Sequence, residues 1–432
     1  MSDLAYLGGA PAIDKPIAPY PSLGDAEVEA VTRIVRSGCL SGFFGSWEEG
    51  FLGGPEVQAF EAEWSARFEA RNTVSVNSAT SGLMVACGAV GVSPGDEVIV
   101  PSTTMSATAM APMVYGGIPV FADLDENTFC LSVEAVKANL TDRTRAVLAV
   151  NLFGQAAPLT ELRALCDERG IYLIEDNAQG PLATENGYYC GTIGHIGVFS
   201  LNYHKHIHSG EGGMITTEDD FLAERMRMIR NHAEAVAGPA GVSDFTNMLG
   251  FNFRLTEMSA AVGRVQLANI DAHVSRRERF SQALTAGTQG LEGLRPPPVR
   301  PGCRHVYYVW AMRCEEKVLG VSRDIFYGAL AAEGVPCFPA YVAPLYQLPI
   351  FQKRVAIGRD GWPFTLTDRT YESGLCPVAE RLYEHEIIGI EPCAWDVDET
   401  DAASIAAAIR KVHAGRAQLA NYVRNDPGKH LP

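Results

Sequence analysis

Lysine is scarce in this 432-residue chain, which holds only Lys15, Lys137, Lys205, Lys317, Lys353, Lys411 and Lys429. Lys137 and Lys411 lie in helical patterns, Lys317 follows two glutamates, and Lys353 sits in QKR. Lys15 and Lys429 are near the ends. Lys205 differs: in FSLNYHKHIHSGEGG (Phe199–Gly213) it follows an apolar, strand-like run and precedes a glycine-rich turn. An amine in such a place can be partly desolvated and neutral enough to form a Schiff base. A solvated loop lysine is the other reading, and the segment alone leaves both open.

Two further segments could work with such a lysine. LIEDNAQG (Leu173–Gly180) ends an apolar strand with two acids. A buried carboxylate at Asp176 needs a cationic partner. A protonated pyridine nitrogen is one, and it would make the ring an electron sink. A cap on the next helix is the plainer reading. NSATSGL (Asn77–Leu83) follows a β-like run and opens a helix. Its small residues let backbone N–H groups approach an oxyanion at a helix N-terminus, with Thr80 and Ser81 as hydroxyl donors. An ordinary N-cap explains the same pattern. Ser200 is the hydroxyl near Lys205 best placed to reach a phosphate. His204, His206 and His208 suggest a metal site only weakly, because no carboxylate is nearer than Glu211 and Lys205 sits among them. No metal is expected.

The elements that must position these groups alternate. β-Rich runs at 97–100, 119–123, 146–151, 172–175 and 197–201 are separated by helical patterns at 80–90, 106–114, 133–140 and 159–169. Such alternation predicts an α/β domain with a mostly parallel sheet covered by helices. Ligands in these sheets bind at the C-terminal strand ends, where all three segments fall. A helix is expected over Asp25–Gly38, a long surface loop over 38–55, and one long helix from Thr256 to about Arg279. PPPVRPGC (296–303) punctuates the chain, and the remainder reads as a smaller α+β domain. The expected division is a large domain over 1–265, including the 41–52 loop, and a small one over 266–432.

Composition narrows the classes. With 35 Lys and Arg against 51 Asp and Glu, the net charge of −16 argues against nucleic acid as a partner. No apolar run nears the roughly 18 residues that span a membrane, and no secretory signal is evident. The ten cysteines are scattered singly, as reduced thiols of a cytoplasmic protein would be.

These motifs, in this order, resemble the DegT/DnrJ/StrS family of sugar aminotransferases. The resemblance runs from GGPEVQAFE (Gly53–Glu61) through GDEVIVPS (Gly95–Ser102), PVFADLD (Pro119–Asp125), NLFGQAAPL (Asn151–Leu159) and GFNFRLTEMSAAVG (Gly250–Gly263) to CPVAERL (Cys376–Leu382). It implies a fold-type I pyridoxal-5′-phosphate (PLP) enzyme with a seven-stranded sheet, working as a homodimer with shared sites. It implies Lys205 as the catalytic Schiff-base lysine, Asp176 at the pyridine nitrogen and Gln179 near the 3-hydroxyl. Ala79, Thr80, Ser81 and Ser200 would hold the phosphate. Asn252 would reach the phosphate in the partner's site. Two features depart from the family pattern. Met105 stands where an aromatic residue usually stacks on the ring, and a longer loop, SGFFGSWEEGFL (41–52), replaces a short one. Phe43, Phe44 and Trp47 in that loop could close over a substrate, or the loop could pack on a dimer partner. His206, Arg254 and Tyr308 are further candidate substrate contacts, and Arg304 is a second cation available to a diphosphate.

The expected activity is ping-pong transfer of an amino group from glutamate or glutamine to a keto-sugar, as a rule nucleotide-linked, or to a cyclitol. The alternatives are a PLP-dependent sugar dehydratase and a non-catalytic PLP-binding regulator. Some relatives that dehydrate carry histidine in place of the lysine, and Lys205 argues against that variant.

Overall fold

In the computed structural model, which describes residues 4–425, the β-rich runs become strands of one sheet. They are β1 (Asn72–Val76), β2 (Glu97–Pro101), β3 (Ile118–Ala122), β4 (Thr144–Val150) and β5 (Tyr172–Asp176). A short hairpin follows, β6 (Thr184–Glu185) and β7 (Tyr188–Tyr189), then β8 (Ile196–Ser200) and β9 (Gly213–Thr217). The seven-stranded order is β1-β9-β8-β5-β4-β2-β3. β2, β3, β4, β5 and β8 pair in parallel, and β9 runs antiparallel to both β1 and β8.

β9 was not foreseen, because its sequence, GMITT, ends in two threonines and lacks a long apolar run. All five residues are nevertheless buried. The Thr216 hydroxyl donates to the Gly191 carbonyl, and the Thr217 hydroxyl donates to the His195 carbonyl at 2.8 Å. Satisfied hydroxyls remove the usual cost of burying threonine.

The single long helix expected from Thr256 is instead two, Glu257–Ala268 and Ile270–Thr288. Asn269 interrupts them: its side-chain amide donates to the Val265 carbonyl at 3.0 Å, competing with the helical ladder. The first helix packs on the helices Asp25–Ser37 and Pro55–Phe68, and the second on Glu399–Ala414. The break thus turns the chain from the sheet toward a second core.

That core gathers Phe280, Leu284, Trp310, Phe326, Ile405 and Leu419, with Leu4 from the N-terminus. Its antiparallel sheet has the order β10-β12-β14-β13, with β10 (Leu294–Arg295), β12 (Trp310–Cys314), β13 (Phe338–Pro339) and β14 (Ile387–Ile390). β11 (Cys303–Arg304) reaches back to pair with β6. The N-terminal segment is tied here too. Ala5 and Ala12 donate backbone N–H groups to the Glu333 carboxylate at 2.9 and 2.8 Å, and Lys411 pairs with it at 2.7 Å. Lys429 lies outside the described residues.

The 41–52 loop is anchored rather than free along its length. Phe43 is buried beneath the Arg230 guanidinium, 4.7 Å from its ring centroid, and Phe51 is buried beside Trp47. Phe44 and Trp47 face outward.

Candidate active site

Adjacent residues of a strand point to opposite faces, so Glu175 and Asp176 part company at the end of β5. Glu175 turns to the loop before β8. Its carboxylate accepts from Gly191 N at 2.5 Å, Ile193 N at 2.8 Å, Gly194 N at 2.5 Å and the Asn151 amide at 3.2 Å. Asp176 turns to a cavity of about 200 Å³ at the C-terminal edge of the sheet. It accepts from the Thr108 hydroxyl at 2.8 Å and from Ala178 N at 3.2 Å. Burial pushes the Asp176 carboxyl above its ordinary range; the two hydrogen bonds and the charge of Lys205 oppose this. A carboxylate this deep with only two hydrogen-bond donors is stable as an anion only beside a cation.

Lys205 lies across the same cavity, five residues past the end of β8. The Leu201 N–H donates to the Gly212 carbonyl at 2.9 Å, closing the loop that carries the lysine. Its Nζ is 3.3 Å from the Tyr308 hydroxyl and 4.4 Å from the centroid of that ring. Burial lowers the pKa of its amine, partly opposed by Asp176, Cys393 and Glu391. Burial and the adjacent Lys205 hold His204 near a pKa of about 4, so it stays neutral at ordinary pH.

The start of the Ala79–Ala89 helix forms another wall. Ser78 caps it by accepting from Ser81 N at 3.1 Å, so the cap leaves the N–H groups of Ala79 and Thr80 available at the cavity. Glycine at 213 makes this approach workable, because a Cβ there would lie 2.8 Å from Ala79 N. Ser200, at the end of β8, lines the cavity beside these groups.

Gln179 is fixed at both ends of its amide. Its Oε1 accepts from Phe153 N at 2.7 Å and its Nε2 donates to the Tyr341 hydroxyl at 3.0 Å. Phe153 and Ala340, the residue before Tyr341, both have left-handed backbones, at φ 60° and 61°. Non-glycine residues hold that conformation only where their surroundings impose it.

Of the residues expected at the site, Ala79, Thr80, Met105, Asp176, Gln179, Ser200 and Lys205 line this one cavity. Met105 is 59% exposed at its edge, open to whatever occupies it. Ser81 is turned away, donating to the Asn77 side chain at 2.6 Å. His206 is buried beside the lysine. Arg277 donates to its carbonyl at 2.8 Å and approaches its Nδ1 at 3.1 Å, so it anchors the loop. Tyr308 touches Lys205. The other candidates gather elsewhere. Asn252 is exposed and bridges to Asn231, whose amide donates to the Phe44 carbonyl at 2.8 Å and accepts from Arg254 at 2.9 Å. Phe43, Phe44, Trp47, Asn252 and Arg254 are not among the cavity's lining residues. Arg304 is engaged by Glu278 through two bonds, at 2.7 and 2.9 Å.

Sequence reasoning missed Thr108, Tyr341, Asn202 and Glu211. Asn202 donates to Glu211 at 2.8 Å at the cavity wall, while its Oδ1 is buried without a partner. Asn202 and Glu211 lie in the same short segment as Lys205, and that proximity could have flagged them. Nothing local marks Thr108 or Tyr341.

The donor set fits PLP. A desolvated amine can hold an aldehyde covalently, and a buried carboxylate short of donors suits a pyridinium N–H. Two helix N-terminal amides with the Thr80 and Ser200 hydroxyls suit a phosphate. Among the described residues, no helix is long and apolar enough to cross a membrane.

Residues 44–409 match the family model described as the DegT/DnrJ/EryC1/StrS aminotransferase family. The L-glutamine:2-deoxy-scyllo-inosose aminotransferase of Streptomyces kanamyceticus is 34% identical, the match covering 97% of this chain and 99% of that protein. The dTDP-3-amino-3,4,6-trideoxy-alpha-D-glucose transaminase of Streptomyces venezuelae is also 34% identical, over 81% of this chain and 86% of that protein. The solved aminotransferase from Psychrobacter cryohalolentis superposes with a TM-score of 0.79 at 28% identity, covering 93% of this chain and all of that one. The chain belongs to the DegT/DnrJ/EryC1/StrS family and is a PLP-dependent aminotransferase.

Proposed function

We propose that this enzyme moves an amino group from glutamine or glutamate to the ketone of a cyclitol or sugar, in two half-reactions that share Lys205. The observation that carries the reading is the half-buried Lys205 amine facing Asp176 across one cavity. Bound PLP would supply an electron sink. The chain's own residues do the rest. Asp176 holds a proton on the ring nitrogen. Lys205 Nζ would take the α-proton of the donor and hold it for return, as base and then acid. Ala79, Thr80 and Ser200 bind the phosphate, and Gln179 orients the ring through its fixed amide. The donor leaves as a keto acid before the acceptor enters.

The acceptor reading favours a keto-cyclitol or an unlinked keto-sugar. The near-complete match in length to an inosose aminotransferase supports it. So do the groups beside Lys205. Asn202, neutral His204 and Glu211 suit hydroxyls, whereas a diphosphate would want cations. Homodimerisation belongs to the same proposal. A second copy would bring Asn252, Arg254 and the Phe44–Trp47 edge to the neighbouring cavity. Arg254 is the observation that keeps a nucleotide-linked sugar as a second reading.

The test supplies glutamine or glutamate with a panel of keto-cyclitols, free keto-sugars and nucleotide-linked keto-sugars, and follows donor consumption and aminated product. Turnover with an unlinked polyol ketone is expected. Turnover confined to nucleotide-linked ketones would overturn the acceptor reading. Release of water without an aminated product would overturn the reaction class.

A further inference from the structure

We infer that Tyr308 is a positioning residue that holds the Lys205 amine in both of its protonation states, and so fixes the path of the proton that Lys205 carries. The inference rests on the reading of Lys205 as the proton-transfer base.

Tyr308 is 3% exposed, and its hydroxyl and ring face both contact Nζ. An ammonium can donate to the phenol oxygen and sit over the ring face. A neutral amine can accept from the phenol O–H. No carboxylate can do both, because an ionised carboxylate only accepts. Asp176 therefore suits the charged amine alone, while a base that becomes an acid within one cycle needs a partner for each state. Burial and the neighbouring Tyr341 and Glu391 push the phenol well above its ordinary pKa, so it keeps its proton while the amine titrates.

The backbone shows that this placement is imposed. Tyr307, the preceding residue, has a left-handed φ of 52°. His305 locks it, its Nδ1 accepting from Tyr307 N at 2.9 Å and its ring stacking on Tyr307 with centroids 4.0 Å apart. On either side, Val306 N donates to the Gly154 carbonyl at 3.0 Å and Val309 N to the Phe153 carbonyl at 3.2 Å. Val306 and Val309, which bracket Tyr307 and Tyr308, are thus pinned to the 153–154 segment that also holds Gln179. Strain kept by this many contacts points to a side chain whose direction matters. The titratable groups around the amine are Asp176, Cys393, Glu391, His204, His206 and Tyr308.

The test compares Tyr308→Phe, which keeps the ring, with Tyr308→Ala. In the PLP-loaded enzyme, exchange of the donor's α-deuterium with water should fall about tenfold in Tyr308→Phe, the scale of one hydrogen bond to a charged group. The primary isotope effect should rise as proton transfer becomes limiting. Borohydride trapping of PLP on Lys205 should still reach one per chain, which shows that the variant folds and binds. In PLP-free protein, trace reductive methylation of Lys205 should be faster in Tyr308→Ala than in wild type, because the amine is no longer held. Wild-type exchange in Tyr308→Phe, or unchanged methylation in Tyr308→Ala, would overturn the inference. A wild type that traps PLP at Lys205 yet exchanges no α-deuterium would overturn the base assignment and the inference with it.

Discussion

Glu175 and Asp176 are neighbours, both fully buried, on one strand, and burial pushes both carboxyls upward. Their surroundings differ in one respect. Glu175 accepts four hydrogen bonds, three of them from the backbone of the 191–194 turn, and so pins that turn beneath the sheet. Asp176 accepts two and keeps the rest of its acceptor capacity toward a cavity. One carboxylate is complete without a ligand and the other is not. The unfinished group is the one that awaits a cation, and this distinguishes a cofactor anchor from a structural acid more clearly than burial does.

The contrast can be broken from either side. Asp176→Asn should lower kcat/KM by about 10³-fold, the scale of one removed partner of a buried charge pair. Its unfolding midpoint in the PLP-free protein should stay near wild type, measured by steady-state kinetics beside a denaturant titration. Glu175→Gln should do the reverse. Its amide N–H₂ would face backbone donors and cost about 3 kcal/mol of stability, while the folded fraction keeps most of its turnover. A Glu175→Gln protein as stable as wild type but inactive would erase the distinction. Thr108→Val sharpens it further. Loss of one hydroxyl donor should weaken PLP binding or turnover by about 1 kcal/mol, roughly fivefold, read by equilibrium titration of the PLP-free protein. No change there would mean that Thr108 merely fills space.

The same contrast explains how much could be read in advance. LIEDNAQG and the scarcity of lysine exposed Asp176 and Lys205, because short apolar strands and their C-terminal ends are local signals. That β2 to β5 and β8 pair in parallel followed from the alternation of elements, whereas their order in the sheet did not. β9 did not, because its threonines are satisfied by carbonyls on other segments. The helix break at Asn269 turned on a side chain that served the backbone of its own preceding turn. Thr108 and Tyr341 were invisible for the opposite reason. They meet Asp176 and Gln179 across 68 and 162 residues of chain, with no spacing to betray them. Phe43 illustrates the limit of reading aromatic loops. In the sequence it matches Phe44, yet one is packed under Arg230 and the other faces solvent.

Whether Lys205 carries the cofactor can be read by covalent trapping. The purified full-length protein is mixed with PLP, reduced with borohydride, digested, and the modified lysine located by mass spectrometry, with Lys205→Ala in parallel. One label per chain is expected, confined to Lys205 and absent from the variant. Label on another lysine, or a wild type that takes none, would contradict the assignment of Lys205.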